Sequence, residues 1–264
     1  MTRSRLARRR WILPTYSAAV ITYLFIPVIV MILFGFNDYR GKFNFEWRAF
    51  TLEHYGSLGD YPELIEALKN SLVIASVSTL IATVLGTLIA LALTRHRFGG
   101  RGPLNLFVFL PMATPEVVLG VSLLALFVTI NLERGFTTIV MAHILFSISY
   151  VVVTVKARTS NFDRSLEDAA QDLGATPWTS FWTVTFPLIF PGILAAGLLA
   201  FVLSIDDFVI TSFNAGAVVT LPLWIYGASR FEVPAQVNVI GSLIFLVGVM
   251  YVVVMLARER RLAR

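Results

Sequence analysis

The sequence predicts an all-α integral membrane protein with six transmembrane helices. Of its 264 residues, 57% are hydrophobic and only 14% are charged, whereas soluble domains carry about 25% charged residues. The sequence has no strands of alternating apolar and polar residues, so helices are the spanning form that we expect. Six apolar runs approach or exceed the roughly 20 helical residues that cross a bilayer: Tyr16–Phe36, Leu72–Leu93, Leu104–Ile130, Phe136–Val155, Leu188–Phe213 and Val239–Leu256.

Two of these runs have features that set them apart from an ordinary membrane helix. The first follows a group of arginines and resembles a secretory signal, but its 21 residues exceed the roughly 7–15 of a signal core. We therefore expect an uncleaved first helix. The third run carries Pro111 and Pro115, and proline kinks or breaks helices, so we expect this span to be tilted or broken.

Lysine and arginine are concentrated at one set of span ends. Such an excess marks the cytoplasmic side of a membrane protein. We therefore predict that both termini and the loop 158–187 are cytoplasmic, and that 37–69 is an outer loop. Fifteen of the 21 lysines and arginines lie on the predicted cytoplasmic side: Arg3, Arg5, Arg8, Arg9, Arg10, Arg95, Arg97, Arg101, Lys156, Arg158, Arg164, Arg258, Arg260, Arg261 and Arg264.

The outer loop has aromatic residues, Trp47, Phe50 and Tyr55, that suit a membrane interface. Tyr61-Pro62 and the acids around it predict a short surface helix there. The sequence shows no internal repeat and no second domain, so residues 1–264 are predicted to form a single transmembrane domain.

The segment Leu166–Pro191 is the only long stretch of mixed polarity among the apolar runs. Asp163 is available to cap a helix that runs to Leu173. Gly174 follows, where a left-handed residue ends the helix, and Thr176-Pro177 starts another. We predict two short helices that meet at a glycine elbow and lead into the apolar run beginning at Leu188.

The pattern "DAAxxxGA", with Pro187 thirteen residues after the glycine, resembles the EAA loop of permease subunits of ABC importers. The glutamate of that family falls at Asp168, which keeps the carboxylate but shortens it, and Glu167 lies one residue early. The resemblance implies a type I importer permease fold and a loop that docks on a separate ATPase. The residues implied in coupling are Glu167, Asp168, Ala169, Ala170, Asp172, Gly174 and Ala175. The alternative is an amphipathic loop that packs only on its own helices.

Motifs for catalysis are missing from the sequence. It has no cysteine, no G-x-x-x-x-G-K-[ST] loop, no G-x-S-x-G and no H-E-x-x-H. The basic residues lie at span ends, so the net charge of +5 is explained by membrane orientation and not by nucleic acid. We expect a subunit that is not an enzyme and has no cofactor or metal of its own, with ATP and Mg bound by the partner ATPase.

Three acidic residues fall inside apolar runs, where a carboxylate costs about 2.5–3.5 kcal/mol and is a functional candidate. Glu116 lies about 18 Å into the third run at 1.5 Å per residue, which places it near the midplane. Asp206 and Asp207 lie toward the outer end of the fifth run, and only one of them is expected to face a pathway. In the functional interpretation, these acids line a path through the membrane that favours a positively charged solute.

Structural alternatives stay open for these acids. Glu116 is also suited to grip a neighbouring helix through a hydrogen-bonded carboxyl group. The Asp206-Asp207 pair also suits a polar helix end that reaches interface water or Arg230. His143, in the fourth run, is interpreted as an interhelical hydrogen-bonding residue and not as a site.

A second resemblance concerns the solute. "SIDDFVITSFNAG" (Ser204–Gly216) and "TLPLWIY" (Thr220–Tyr226) are similar to the second membrane subunit of spermidine/putrescine importers, the PotC-like permeases. This resemblance implies polyamine uptake. Tyr226 is a substrate-path candidate in addition to the three acids. It also implies a homologous second permease, two ATPase subunits and an extracytoplasmic solute-binding protein, in the inner or plasma membrane of a prokaryote.

Three other functions are weighed against this one. The first is an ABC permease for another small solute, since related permeases share parts of the motif. The second is an independent secondary transporter with Glu116 as a proton relay, although the sequence has no inverted repeat. The third is a membrane scaffold, which would leave the Asp168–Gly174 tip freely mutable.

Overall fold

The computed structural model describes residues 3–39, 43–160 and 162–262, with side chains described for 13–39, 43–160, 162–251 and three later positions. Side chains of the N-terminal arginines and the C-terminal arginines lie outside the described set. The described residues are mainly helical, and one isolated bridge pairs Asn37 with Phe50. The α-helices are α1 (Arg3–Phe34), α2 (Glu53–Gly56), α3 (Pro62–Arg95), α4 (Arg101–Ala113), α5 (Glu116–Thr129), α6 (Phe136–Ser160), α7 (Ser165–Asp172), α8 (Pro177–Ser180), α9 (Phe186–Ile205), α10 (Val209–Asn214), α11 (Leu221–Ala228) and α12 (Ala235–Leu262).

Four helices among the described residues are long and apolar enough to cross a membrane: Leu13–Phe34, Pro62–Arg95, Phe136–Ser160 and Pro177–Ile205. The bent pair α4 and α5 makes a fifth span if it is counted as one. The apolar stretch recognised in α12 is shorter, Ala235–Tyr251. The all-helical prediction is confirmed, whereas the count of six spans stays a prediction.

The third apolar run is broken, as its prolines indicate. The axes of α4 and α5 differ by 109°. Pro115 disfavours helical backbone at the residue before it, and Thr114 is extended, with φ −83° and ψ 132°. The depth of Glu116 was calculated for one straight helix, and that assumption is wrong, because Glu116 is the first residue of α5. Its position near the midplane stays a prediction.

The fifth apolar run is also interrupted. Helix α9 ends at Ile205, Asp206 is its C-terminal cap, and α10 begins only at Val209. The prediction that placed Asp206 and Asp207 on one continuous helix is therefore wrong. The break suits the carboxylates, because Asp207 accepts hydrogen bonds at the start of α10 that a continuous apolar helix lacks.

The chain divides into two compact units. The first is Glu63–Trp224, and the second is Met1–Pro62 with Ile225–Arg264. The core of the first contains small residues that let helices approach closely. Ala90 of α3 packs with Ala196 and Ala200 of α9. A Cβ on Gly86 would lie 2.6 Å from Val151 of α6, so the contact of α3 with α6 requires glycine there.

The second unit contains α1, α12 and the segment after α1. Asn37 is fully buried, and its side-chain Nδ2 donates to the backbone oxygen of Glu46 at 2.7 Å. Phe36 stacks on Phe50 and Tyr55, with ring centroids 5.3 and 4.8 Å apart. Phe36, the last residue of the first apolar run, therefore packs on two rings of the segment predicted as an outer loop.

The surface helix predicted at Tyr61-Pro62 is not a separate element. Pro62 is the first residue of the 34-residue helix α3, where proline is well tolerated because the first helical N–H has no partner within the helix. Two short helical turns, α2 and Leu58–Asp60, lie immediately before it.

Candidate functional site

The segment between α6 and α9 contains the residues predicted to couple to an ATPase. Helix α7 begins at Ser165, two residues after the predicted cap. The Asp163 side chain accepts a hydrogen bond from the Ser165 backbone N–H at 3.0 Å. This bond favours the charged carboxylate and so lowers the pKa of Asp163 below its ordinary value. Asp163 thus caps the helix from just outside its first turn.

The glycine elbow has the geometry expected from the sequence. Gly174 has φ +91°, a conformation that costs other residues about 1–2 kcal/mol. Its N–H donates to Gln171 O at 2.8 Å, and the N–H of Ala175 donates to Ala170 O at 3.0 Å. These two bonds form a Schellman motif. A Cβ at Gly174 would meet no atom within 4 Å, so backbone conformation and not space requires glycine here.

The second short helix is confirmed at its start and corrected at its end. Thr176 accepts a hydrogen bond from Thr179 N at 3.2 Å, and Pro177 is the first helical residue. The helix does not stop before the apolar run. It continues through a π-helical turn, Phe181–Thr185, into α9, so the elbow is attached directly to a membrane-length helix.

The tip of this segment is open to its surroundings. Asp168, Ala169, Asp172 and Gly174 are exposed, whereas Ala170 and Ala175 are half-buried. Leu173, beside the glycine, is 90% exposed. The tip is therefore accessible to a partner.

Glu167 differs from the other predicted coupling residues because it contacts its own chain. Its carboxylate forms a salt bridge with Arg95 at the end of α3 and accepts a hydrogen bond from Thr185. The side chains of Glu167 and Arg95 are 16% and 24% exposed. Arg164 also donates to the Thr94 backbone oxygen at 2.9 Å. The ion pair therefore belongs to Glu167, while Asp168 stays exposed.

The second group of candidates surrounds the break between α9 and α10. The Asp207 side chain is only 6% exposed, and its Oδ2 lies 3.3 Å from His143 Nε2. The same oxygen accepts from the backbone N–H of Thr211 at 2.8 Å and from its hydroxyl at 2.7 Å. Asp207 therefore acts as a cap for α10.

His143 links this cap to the other helices of its unit. Its Nδ1 lies 2.7 Å from Ser204 Oγ, and its Nε2 lies 2.9 Å from Thr211 Oγ1. Ser204 in turn lies 3.0 Å from Ser78 Oγ of α3. The interpretation of His143 as an interhelical hydrogen-bonding residue is confirmed. Its pairing with Asp207 was missed, since no sequence spacing relates residues on different helices.

The remaining acids are more accessible. Asp206 and Glu116 are exposed, and Glu116 has no hydrogen-bond or ion-pair partner among the described residues. This accessibility goes against the alternative in which Glu116 grips a neighbouring helix of this chain. Helix α5, which begins at Glu116, packs closely on α10. A Cβ on Gly120 would lie only 2.7 Å from Phe213 Cδ2, so glycine is needed at this contact.

Tyr226 belongs to the other compact unit. It is 48% exposed, its hydroxyl accepts a hydrogen bond from Arg230 at 2.7 Å, and the guanidinium of Arg230 lies 4.7 Å from its ring centroid. The described part of the chain contains no group of three or more His, Cys, Asp or Glu side chains that could hold a metal ion.

Several apolar membrane-length helices, with an exposed small-residue elbow attached to one of them, define a multi-pass helical membrane protein. Residues 62–262 match the family model described as "Binding-protein-dependent transport system inner membrane component". The chain belongs to this family.

Curated relatives and solved structures agree with this assignment. The spermidine/putrescine transport system permease protein PotC of Escherichia coli (strain K12) is 35% identical over 248 residues, 93% of each chain. The putrescine transport system permease protein PotI of the same strain is 37% identical over 231 residues, 84% of this chain and 82% of that protein.

Among solved structures, a bacterial ABC transporter involved in the import of alginate has a similar fold. Its TM-score is 0.67 at 15% sequence identity, with 98% of each chain covered. An inward-facing form of the MetNI methionine ABC transporter gives a TM-score of 0.59 at 18% identity, covering 75% of this chain and 93% of that one. At these identities the likeness establishes the fold alone.

Proposed function

We propose that this chain is one of two permease subunits of an ATP-driven importer of polyamines. In this assembly it pairs with a homologous permease, two ATPase subunits that bind ATP and Mg, and an extracytoplasmic solute-binding protein. Support comes from the relatives named as spermidine/putrescine and putrescine permeases. It also comes from a related alginate transporter structure solved with its periplasmic protein.

The proposed topology is six membrane-crossing segments with both termini in the cytoplasm of a prokaryotic cell. The bent pair α4 and α5 would form the third crossing and α12 the sixth. The excess of arginine and lysine at one set of span ends supports this orientation. The subunit has no catalytic role in this proposal.

The elbow at Gly174 is the observation that supports coupling to an ATPase most directly. Its exposed tip offers small side chains, Ala169 among them, that let a partner approach closely. Helix α8 continues into α9 without a loop. A force on the tip therefore passes through the turn at Gly174 and then along continuous helical backbone into a membrane helix. We assign this segment, from Glu167 to Ala175, the role of docking and transmission.

The two adjacent aspartates are assigned different roles. Asp207 is occupied by His143 and by the start of α10, so its function is to hold the break between α9 and α10 in place. Asp206 is exposed beside it and is the better candidate to attract a passing polyamine. Polyamines carry several positive charges, and an accessible carboxylate attracts them electrostatically. Glu116 and Tyr226 remain further candidates.

A direct experiment tests the solute. The complete complex, with its binding protein, is reconstituted in proteoliposomes loaded with ATP in the compartment that contains the ATPase subunits. Uptake of radiolabelled spermidine and putrescine is then compared with that of an uncharged sugar. ATP-dependent accumulation of a polyamine supports the proposal. If only another solute accumulates, the chain is still part of an importer, but the hypothesis that the solute is a polyamine is rejected. Accumulation without ATP would favour a secondary transporter.

A further inference from the structure

A polar pocket of about 250 Å³ lies at the ends of α3 and α6 and the start of α4. Four cationic side chains line it: Arg95, Arg101, Lys156 and Arg164. A water molecule takes up about 30 Å³ in the liquid, so the space accommodates a small polyatomic group. The acids and His143 near the α9–α10 break do not line this pocket, so the proposed solute path leaves it unexplained.

The charges around this pocket are poorly balanced. Arg95 is paired with Glu167. The Lys156 ammonium donates to the neutral amide of Asn105 at 2.6 Å, and Arg164 donates to the backbone oxygen of Thr94 at 2.9 Å. In the part of the chain that the structure describes, one carboxylate therefore faces four cations. Arg101 and Arg164 are exposed and Arg95 and Lys156 are half-buried. Water therefore screens part of the repulsion among these like charges, and an anion in the pocket would relieve the rest.

Arg95 also carries a hydrogen-bond donor that no described residue satisfies. Its Nε is buried and has no hydrogen-bond partner among the described residues. A buried donor left without a partner costs about 1–3 kcal/mol. Since Arg95 lines the pocket, this unsatisfied donor belongs to the same group of cationic side chains.

We propose that this pocket binds an anionic phosphate group. Guanidinium groups match phosphate oxygens in a forked geometry, and an ammonium group adds a compact charge. Basic pockets between membrane helices on the cytoplasmic side bind phosphate-containing lipid head groups. The same chemistry suits the head group of an anionic lipid and free inorganic phosphate. Because Arg95 also pairs with Glu167 of α7, the occupied pocket adjoins the segment that we assign to coupling.

The test uses the complete complex in phosphatidylcholine nanodiscs that contain a photoreactive phosphatidylglycerol. Labelling of this chain is measured for the wild type, for the double variant Arg101→Gln with Lys156→Gln, and for Arg97→Gln. Arg97 is a matched control, because it lies in the same connection and is exposed but does not line the pocket. We expect about a tenfold loss of labelling in the double variant and none in the control.

Competition distinguishes the two sources of phosphate. Displacement of the label by unlabelled phosphatidylglycerol, and not by excess inorganic phosphate, identifies a lipid head group. Displacement by inorganic phosphate as well identifies a site for the free ion. The conservative pair Arg101→Lys with Lys156→Arg should restore labelling if charge is what matters. Equal labelling of all variants, or an equal loss in Arg97→Gln, overturns the proposal. Uptake is not the readout, so the result is independent of the solute.

Discussion

Oδ2 of Asp207 and Nε2 of His143 lie 3.3 Å apart, and the two side chains are 6% and 3% exposed. The aspartate follows the end of α9, and the histidine is on α6. Their contact therefore fixes the position at which the fifth apolar run is interrupted. Asp207 therefore has a structural role, while the adjacent Asp206 stays accessible.

Removing this contact should destabilise the protein. We expect Asp207→Ala to lose a helix cap that contributes about 1 kcal/mol and to leave His143 buried without the neighbouring carboxylate. Asp207→Asn should be milder, because asparagine also caps helices. Thermal unfolding of the detergent-purified complex measures both effects. A double-mutant cycle with His143→Ala should show coupling, and strictly additive effects would contradict the pairing.

Neutralising Asp206 should have a different result. Because its side chain is exposed, we expect Asp206→Asn to leave the unfolding temperature unchanged and to reduce polyamine uptake several-fold. ATP hydrolysis in the absence of the binding protein should be unaffected. Unchanged uptake kinetics in Asp206→Asn would remove this residue from the solute path.

Gly174 should tolerate no β-branched residue. In Gly174→Val the left-handed conformation costs about 1–2 kcal/mol, so the elbow would change shape although its surroundings have room for the side chain. We expect ATP hydrolysis to be uncoupled from uptake while the chain still inserts into the membrane. The ratio of solute transported to ATP hydrolysed measures this effect. Gly227→Ala, where a Cβ also meets nothing within 4 Å, is the control, and normal coupling in Gly174→Val would reject the coupling role.

Glu167 should hold α7 against the end of α3. The pair with Arg95 is partly exposed, so Glu167→Gln should cost less than about 1 kcal/mol of overall stability. The local effect should be larger, with backbone amides of α7 exchanging hydrogen several-fold faster. Hydrogen exchange followed by mass spectrometry compares this variant with Asp168→Asn, whose side chain is exposed. Equal exchange rates in both variants and the wild type would show that the salt bridge does not restrain α7.

Gly216 should be the least replaceable of the glycines with positive φ. A Cβ there would lie 2.3 Å from the backbone oxygen of Arg134, and φ is +56°. We expect Gly216→Ala to lose about 2 kcal/mol or more, because strain and a backbone clash act together. Gly99→Ala, where a Cβ would meet no atom within 4 Å, should be neutral. The comparison is made on yield and unfolding temperature, and similar values for the two variants would argue against the clash.

The sequence by itself determined the helical class, the family and the local form of the elbow. Long apolar runs require helices in lipid, and Gly174 and Thr176-Pro177 act on the backbone within a few residues of themselves. Such signals are short-range, so they are readable without a fold. Pro115 likewise indicated a break, although neither its 109° angle nor the position of Glu116 followed from it.

Only the tertiary structure decided which charged groups meet. Arg95 and Glu167 are 72 positions apart, and His143 and Thr211 are 68 apart. Their contacts depend on how α3, α6 and α9 pack, and that packing relies on small residues of α3 and α9 such as Gly86 and Ala196. The roles of Asp206 and Asp207 separate for the same reason. A carboxylate that reaches a buried histidine becomes part of the framework, while its neighbour in sequence stays accessible.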